Sequence, residues 1–146
     1  MFRLPAALAV LLFTVSAAHG EVRIADPWVR ATVARQKATG AFMKITSPVD
    51  ARLVEVRSAL AGEAEIHEMT MDGDRMKMRA ISSLPLPAGA TVELKPGGHH
   101  IMLLNLSAQI KENDTAPLSL IVETANGERE TINIDAPARP LQKRGR

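Results

Sequence analysis

Hydrophobic and polar positions along the chain alternate in short runs, broken at regular intervals by Gly, Pro, Asn and Asp. The runs are "VRIAD", "WVRATV", "GAFMKITS", "RLVEVRSA", "EAEIHEMTM", "RMKMRAIS", "TVELK", "HHIMLLNL", "LSLIVETA" and "ETINID". A period of two over four to eight residues is the mark of a half-buried strand, and no segment sustains the 3.6 period of a helix. The stretch "RLVEVRSALAGEAEI" leaves room for one short helical turn. Many short strands at this spacing predict an all-β sandwich or barrel.

Two hairpins can be placed, and face matching chooses their registers. In "LSLIVETANGERETINID" a two-residue Asn126-Gly127 loop would set Leu118 and Leu120 against Asp135 and Asn133. A three-residue loop, Ala125 to Gly127 with Gly127 in the left-handed region, instead pairs Leu118 with Ile134 and Leu120 with Ile132, giving one apolar face. In "EIHEMTMDGDRMKMRAI" a two-residue loop at Asp72-Gly73 is expected. It places His67 opposite Met78, Met69 opposite Met76, and Glu68 opposite Lys77 on the reverse face.

The opening "MFRLPAALAVLLFTVSAAHG" has one charge at Arg3, an apolar core and small residues at its end. It reads as a secretory signal peptide, residues 1–20, cleaved after Gly20 or, alternatively, after Ala18. The apolar core is short of the roughly 20 residues that span a bilayer, so no membrane anchor is expected after cleavage. Residues 21–136 then suit a single domain, and "APARPLQKRGR" reads as a Pro-rich basic end, with 137–146 expected to be a mobile tail. The formal net charge of +2 gives no footing for nucleic-acid binding. The chain has no Cys, which excludes disulfides, thiol exchange and thiolate nucleophiles. Trp28 is the single Trp and there is no Tyr, so a base-stacking or sugar-stacking surface is poorly supported.

Chemistry concentrates in one region. Beyond the leader the histidines are His67, His99 and His100, and the methionines are Met43, Met69, Met71, Met76, Met78 and Met102; all but Met43 fall between residues 67 and 102. Imidazole and thioether together suit copper, the soft thioether favouring Cu(I), whereas calcium or magnesium would ask for oxygen donors. His100 and Met102 share a strand face, about 6.6 Å apart at roughly 3.3 Å per residue. His67 and Met78, opposed across the hairpin, supply a second converging pair. Each Met alone is an ordinary gap-filler of cores, and a lone His on an apolar strand is usually structural.

The spacing from His67 through Met78 and His100 to Met102 is H-x10-M-x21-H-x-M. With "DPWVRAT", "TGAFMKI", "LPLPAGATVELKPGGHHIMLLNL" and "VETANGERETI", it resembles the periplasmic PCu(A)C copper chaperones from about Ala25 to Ile134. That resemblance implies a cupredoxin-like Greek-key β-sandwich holding one Cu(I) per chain at a partly exposed site, with His67, Met78, His100 and Met102 as ligands. It also implies a periplasmic carrier, with no catalytic residues, that passes copper toward cytochrome c oxidase, to an oxidase subunit or a Sco-type chaperone. A monomer is expected. Some relatives place a Met directly after the first His; here that residue is Glu68, and Met69 is a secondary candidate.

Of the remaining residues, His99 falls on the face opposite His100 and reads as a surface or loop residue. Met69 and Met76 read as a wall beside the site or as alternative donors, Met71 and Met43 as packing, and Trp28 as a core or strap residue. Gly97 and Gly98 fit a tight turn after Pro96 and would leave an ion reachable by a partner. Two other readings stay open: a copper-dependent redox enzyme, and a non-catalytic β-sandwich module that uses its Met-rich face for protein contact. A blue-copper site is disfavoured, since it requires a Cys thiolate.

Overall fold

A computed structural model describes residues 21–140; the expected leader, 1–20, and residues 141–146 lie outside the described residues. Ten strands account for the fold: β1 (Arg23–Arg30), β2 (Ala38–Thr46), β3 (Ala51–Arg57), β4 (Ala61–Asp72), β5 (Arg75–Ile81), β6 (Leu84–Leu86), β7 (Thr91–Leu94), β8 (His100–Leu106), β9 (Thr115–Thr124) and β10 (Arg129–Arg139). Their hydrogen-bonded order is β5-β4-β8-β2-β1-β10-β9-β3-β6, and β7 pairs with β2 off this path. The chain is all-β, and among the described residues no helix is long and apolar enough to cross a membrane.

The path folds into two layers at the parallel pairing of β1 with β10. Because side chains alternate across a strand, each layer turns one apolar row inward. Val29, Ile45, Ile66, Ile101 and Leu103 come from the first layer and meet Leu53, Leu118, Leu120 and Val122 of the second in one buried cluster. The opposite face of the first layer is thereby freed from core packing. It is this outer face that carries His67, His100 and Met102.

The C-terminal hairpin has the expected register: Leu118 faces Ile134, Leu120 faces Ile132, and Gly127 has φ of 87°. Elsewhere the structure departs from the expectations. "VRIAD" and "WVRATV" form one strand, because a bulge at Asp26, with φ of 49°, absorbs the irregularity between Ala25 and Trp28. The suspected helical turn is instead a bend at Ser58 to Leu60 between β3 and β4, with the Ala61 N–H donating to the Ser58 carbonyl. β6 was not anticipated, since a three-residue "LPL" with Pro in its middle is tolerated only at an edge, where it lies beside β3.

Part of the segment expected to be a mobile tail is strand. Pro137 to Arg139 continue β10, with Ala138 buried and paired to Val29. The Ala138 N–H donates to the Asp114 carbonyl, and the Ala31 N–H donates to that of Arg139. Alanine is only weakly apolar, but small residues are what the close junction of the two layers accepts. Ala138→Asp, which forces a carboxylate into that junction, is expected to cost on the order of 3 kcal/mol or more in urea unfolding; an unchanged midpoint would show that β1 and β10 do not depend on it.

Candidate metal centre

The site is built where β2 changes partners. β2 pairs with β7 from Met43 to Thr46 and with β8 from Ala38 to Ala41, so Lys95 to His99 must leave the sheet between them. The excursion closes on itself: the Lys95 N–H donates to the His99 carbonyl at 2.9 Å, and the Gly98 N–H to the Lys95 carbonyl at 2.9 Å. Gly97 supplies the left-handed φ of 84° that this tight path requires. The result is a Gly98 carbonyl held 2.9 Å from Nδ1 of His100, the first residue of β8.

On its other side β8 pairs with β4, and the last rung of that ladder is His67 opposite His100. Their ring centroids are 5.5 Å apart with planes inclined at 59°. His100 is only 5% exposed although it sits on the outer face, because Phe42 and the 95–99 excursion cover it. Phe42 lies 6.4 Å from the His100 ring and stacks on Trp28 at 4.5 Å. Gly40 is what lets the Phe42 ring lie down: a Cβ there would come within 2.8 Å of the ring. The Arg30 guanidinium sits 5.6 Å over Phe42, and that of Arg139 5.4 Å over Trp28, capping the aromatic wall.

Each imidazole has one nitrogen committed and one without a partner. Nε2 of His67 lies 2.7 Å from the Glu65 carboxylate, which can only accept, so Nε2 carries the proton. The Gly98 carbonyl likewise fixes the proton of His100 on Nδ1. The lone pairs are thereby left on Nδ1 of His67 and Nε2 of His100, and these two buried atoms have no hydrogen-bond partner. An acceptor that orients one imidazole nitrogen and raises the basicity of the other is the usual support of a metal-binding histidine. Glu65 was not singled out in the sequence. Its signal was the i, i+2 spacing in "EIH", which puts it on the face of His67.

The β4–β5 hairpin corrects the expected pairing of His67 with Met78. His67 faces Ala80, Met69 faces Met78, Met71 faces Met76, and Asp72 closes the turn against Arg75. The loop is Gly73-Asp74, with Gly73 at φ of 61° in the first central position, the requirement of a type II′ turn. An Asp72-Gly73 loop of type I′ would have forced Asp72 into the left-handed region. Met78 is therefore a diagonal neighbour of His67, a separation of about 7–8 Å that a long side chain can bridge.

Met69, Met78, His100 and Met102 line a cleft of about 340 Å³, with Phe42 and Gly97 on its walls. His67 stands beside it, its side chain 12% exposed, and Met102 pairs with Glu65 on one side and Gly40 on the other. Three residues of the spaced motif, Met78, His100 and Met102, thus line one cleft, and the fourth, His67, opposes His100 on the same face. Met43 is buried in the core, as expected. Met71 and Met76 are not packing or wall residues, being 64% and 55% exposed. His99 is half-buried in the excursion, and among the described residues no three His, Cys, Asp or Glu gather at a point.

The hydrogen bonds place a ring proton on Nε2 of His67 and on Nδ1 of His100, so that where the two rings are neutral they are opposite tautomers. Multiple-bond 1H–15N NMR of the metal-free protein is expected to show this difference. Finding both rings in the same tautomer would contradict the geometry.

Comparisons place the chain among known proteins. It is 24% identical to the copper-bound PCuAC domain from PmoF2, with a TM-score of 0.66 over 85% of this chain and 97% of that one. The apo PCuAC domain from PmoF1 gives 22% identity and a TM-score of 0.67, covering 84% of this chain and 96% of that one. The solution structure of the Cu(I) form of DR1885 from Deinococcus radiodurans gives 25% and 0.64, covering 86% and 83%. These likenesses make the β-sandwich cupredoxin-like. A Leifsonia xyli subsp. xyli protein named as a lipoprotein, Lxx21020, is 30% identical over 122 residues, 75% of this chain and 74% of that one. The family pattern of the LpqE-like lipoproteins matches residues 22–137, and the chain belongs to that family.

Proposed function

We propose that the protein is an exported copper carrier that holds one Cu(I) at this cleft and releases it by ligand exchange to an acceptor. The observation that carries this reading is the pair of unpartnered ring nitrogens, Nδ1 of His67 and Nε2 of His100, on directly opposed residues. A buried polar atom without a partner costs free energy, and two of them side by side, each backed by an acceptor, fit a soft cation better than any contact within the chain. Metal–nitrogen bonds of about 2 Å would require the two nitrogens within about 4 Å of each other, which small ring rotations can reach from a centroid separation of 5.5 Å. Met102 and Met78 would complete the set with two thioethers.

The donor set also suits transport. Thioethers and neutral imidazoles hold Cu(I) without a thiolate that an oxidising compartment could convert to disulfide. Since the thioethers carry no charge, passage to a thiolate-bearing acceptor is downhill. The glycine excursion and the half-exposed Met78 leave one side of the cleft open to such a partner. The lipoprotein names of the family and of the Leifsonia relative agree with export, and the copper forms of the structural relatives agree with the metal. Delivery in the periplasm toward cytochrome c oxidase, directly or through a Sco-type chaperone, is the role we assign, with no catalytic step.

Competition against a colorimetric Cu(I) chelator tests the reading. One tight equivalent is expected. Glu65→Ala should weaken it roughly 10–100-fold through the freed His67 ring, and His100→Ala or Met78→Ala should weaken it further than that. Loss of no affinity in either ligand variant would end the proposal.

A further inference from the structure

Beyond the His67–His100 rung, β4 leaves the sheet. Its pairing with β8 stops at that rung, whereas its pairing with β5 runs on to Asp72. Residues 68–72 and 75–79 therefore form a two-stranded ribbon at the end of the strand order. Its two faces differ completely. One bears Glu68, Thr70 and Asp72 against Lys77 and Arg79, with ion pairs between Glu68 and Arg79 and between Asp72 and Lys77. The other bears Met69 opposite Met78 and Met71 opposite Met76, and nothing but thioether side chains.

Packing does not explain that second face. Met71, Met76 and Met78 are 64%, 55% and 55% exposed, so they fill no core. At exposed strand positions Thr, Val or Ile would serve the backbone better than Met, and a lone two-stranded ribbon has little stability to spare. Met-rich faces do serve adaptable protein contacts, and the test below separates such a contact from metal binding. What the four side chains have in common is a soft donor atom, and opposed pairs bring their Cβ atoms to about 4.5–5.5 Å.

We infer that Met71 and Met76 form a second soft-metal site at the ribbon tip, with Met69 as a third thioether between it and the cleft. The site is weaker than the cleft because it has no imidazole and is open to water. Its role, which rests on the copper-carrier reading, is to receive or pass on Cu(I) along the row of sulfurs that leads to Met78. Binding itself does not depend on that role.

The test uses Ag(I), a d10 soft ion with no redox chemistry here, added to the protein with 13C-labelled Met methyls. The first equivalent is expected to shift Met102 and Met78. The second is expected to shift Met71 and Met76, and Met71→Leu with Met76→Leu should remove that second step alone. In His100→Ala the Met71 and Met76 methyls should still respond, which separates this site from the cleft. Methyls of Met71 and Met76 that stay unmoved to two equivalents overturn the inference, as does movement only when another protein is added. Their moving together with Met102 in the first equivalent would also overturn it, by showing a single site. If Met102 alone stays unmoved, the carrier reading fails while this site stands.

Discussion

The pairing of β4 with β8 through the His67–His100 rung holds the site together. It sets two imidazoles side by side on the outer side of a layer whose inner side, Ile66, Ile101 and Leu103, is locked into the core. Slipping this register by one residue would turn the histidines inward and the core residues outward, so the apolar core itself enforces the position of the polar pair. Burial energy from ordinary strands thereby fixes a geometry that costs energy locally. The remaining parts follow from it: the Gly98 carbonyl reaches His100, the Glu65 carboxylate reaches His67, and each ring keeps one buried nitrogen without a partner.

The second constraint is the change of partner along β2. One strand cannot pair with β7 and β8 at the same positions, so Lys95 to His99 is expelled as a short excursion. That expulsion does two things at once. It brings a backbone carbonyl to the ring of His100, and it makes one wall of the cleft out of Pro96 and Gly97. Opposite, Gly40 gives up a side chain so that Phe42 can lie flat, and Trp28 and the Arg30 guanidinium hold the ring there, with the Arg139 guanidinium over Trp28. Water is kept from His100 on this side, while the ribbon side remains open.

Much of this was readable in the residues, and the limits have physical causes. The all-β class followed from alternation, and the β9–β10 register followed from Leu and Ile matching across a loop with one left-handed Gly. The β4–β5 register did not follow, because pairing His67 with Met78 or with Ala80 leaves every side chain on the same face; only the turn type separates the two, and Gly73 in the first central position decides it. The motif spacing pointed to residues of one face, of which Met78, His100 and Met102 line the cleft while His67 stands opposite His100. It said nothing of the Glu65 and Gly98 acceptors or of Gly40 under Phe42, since these depend on which strands become neighbours. The opposition of His67 and His100 was equally hidden, 33 residues apart in sequence and one rung apart in space.

X-ray absorption at the copper edge, on the protein loaded with a single equivalent of Cu(I), bears most directly on whether this rung is a metal site. Two nitrogen and two sulfur scatterers in the first shell are expected, with one nitrogen lost in His100→Ala and one sulfur in Met102→Leu. A shell of nitrogen and oxygen alone, or a spectrum that either substitution leaves unchanged, would contradict the account.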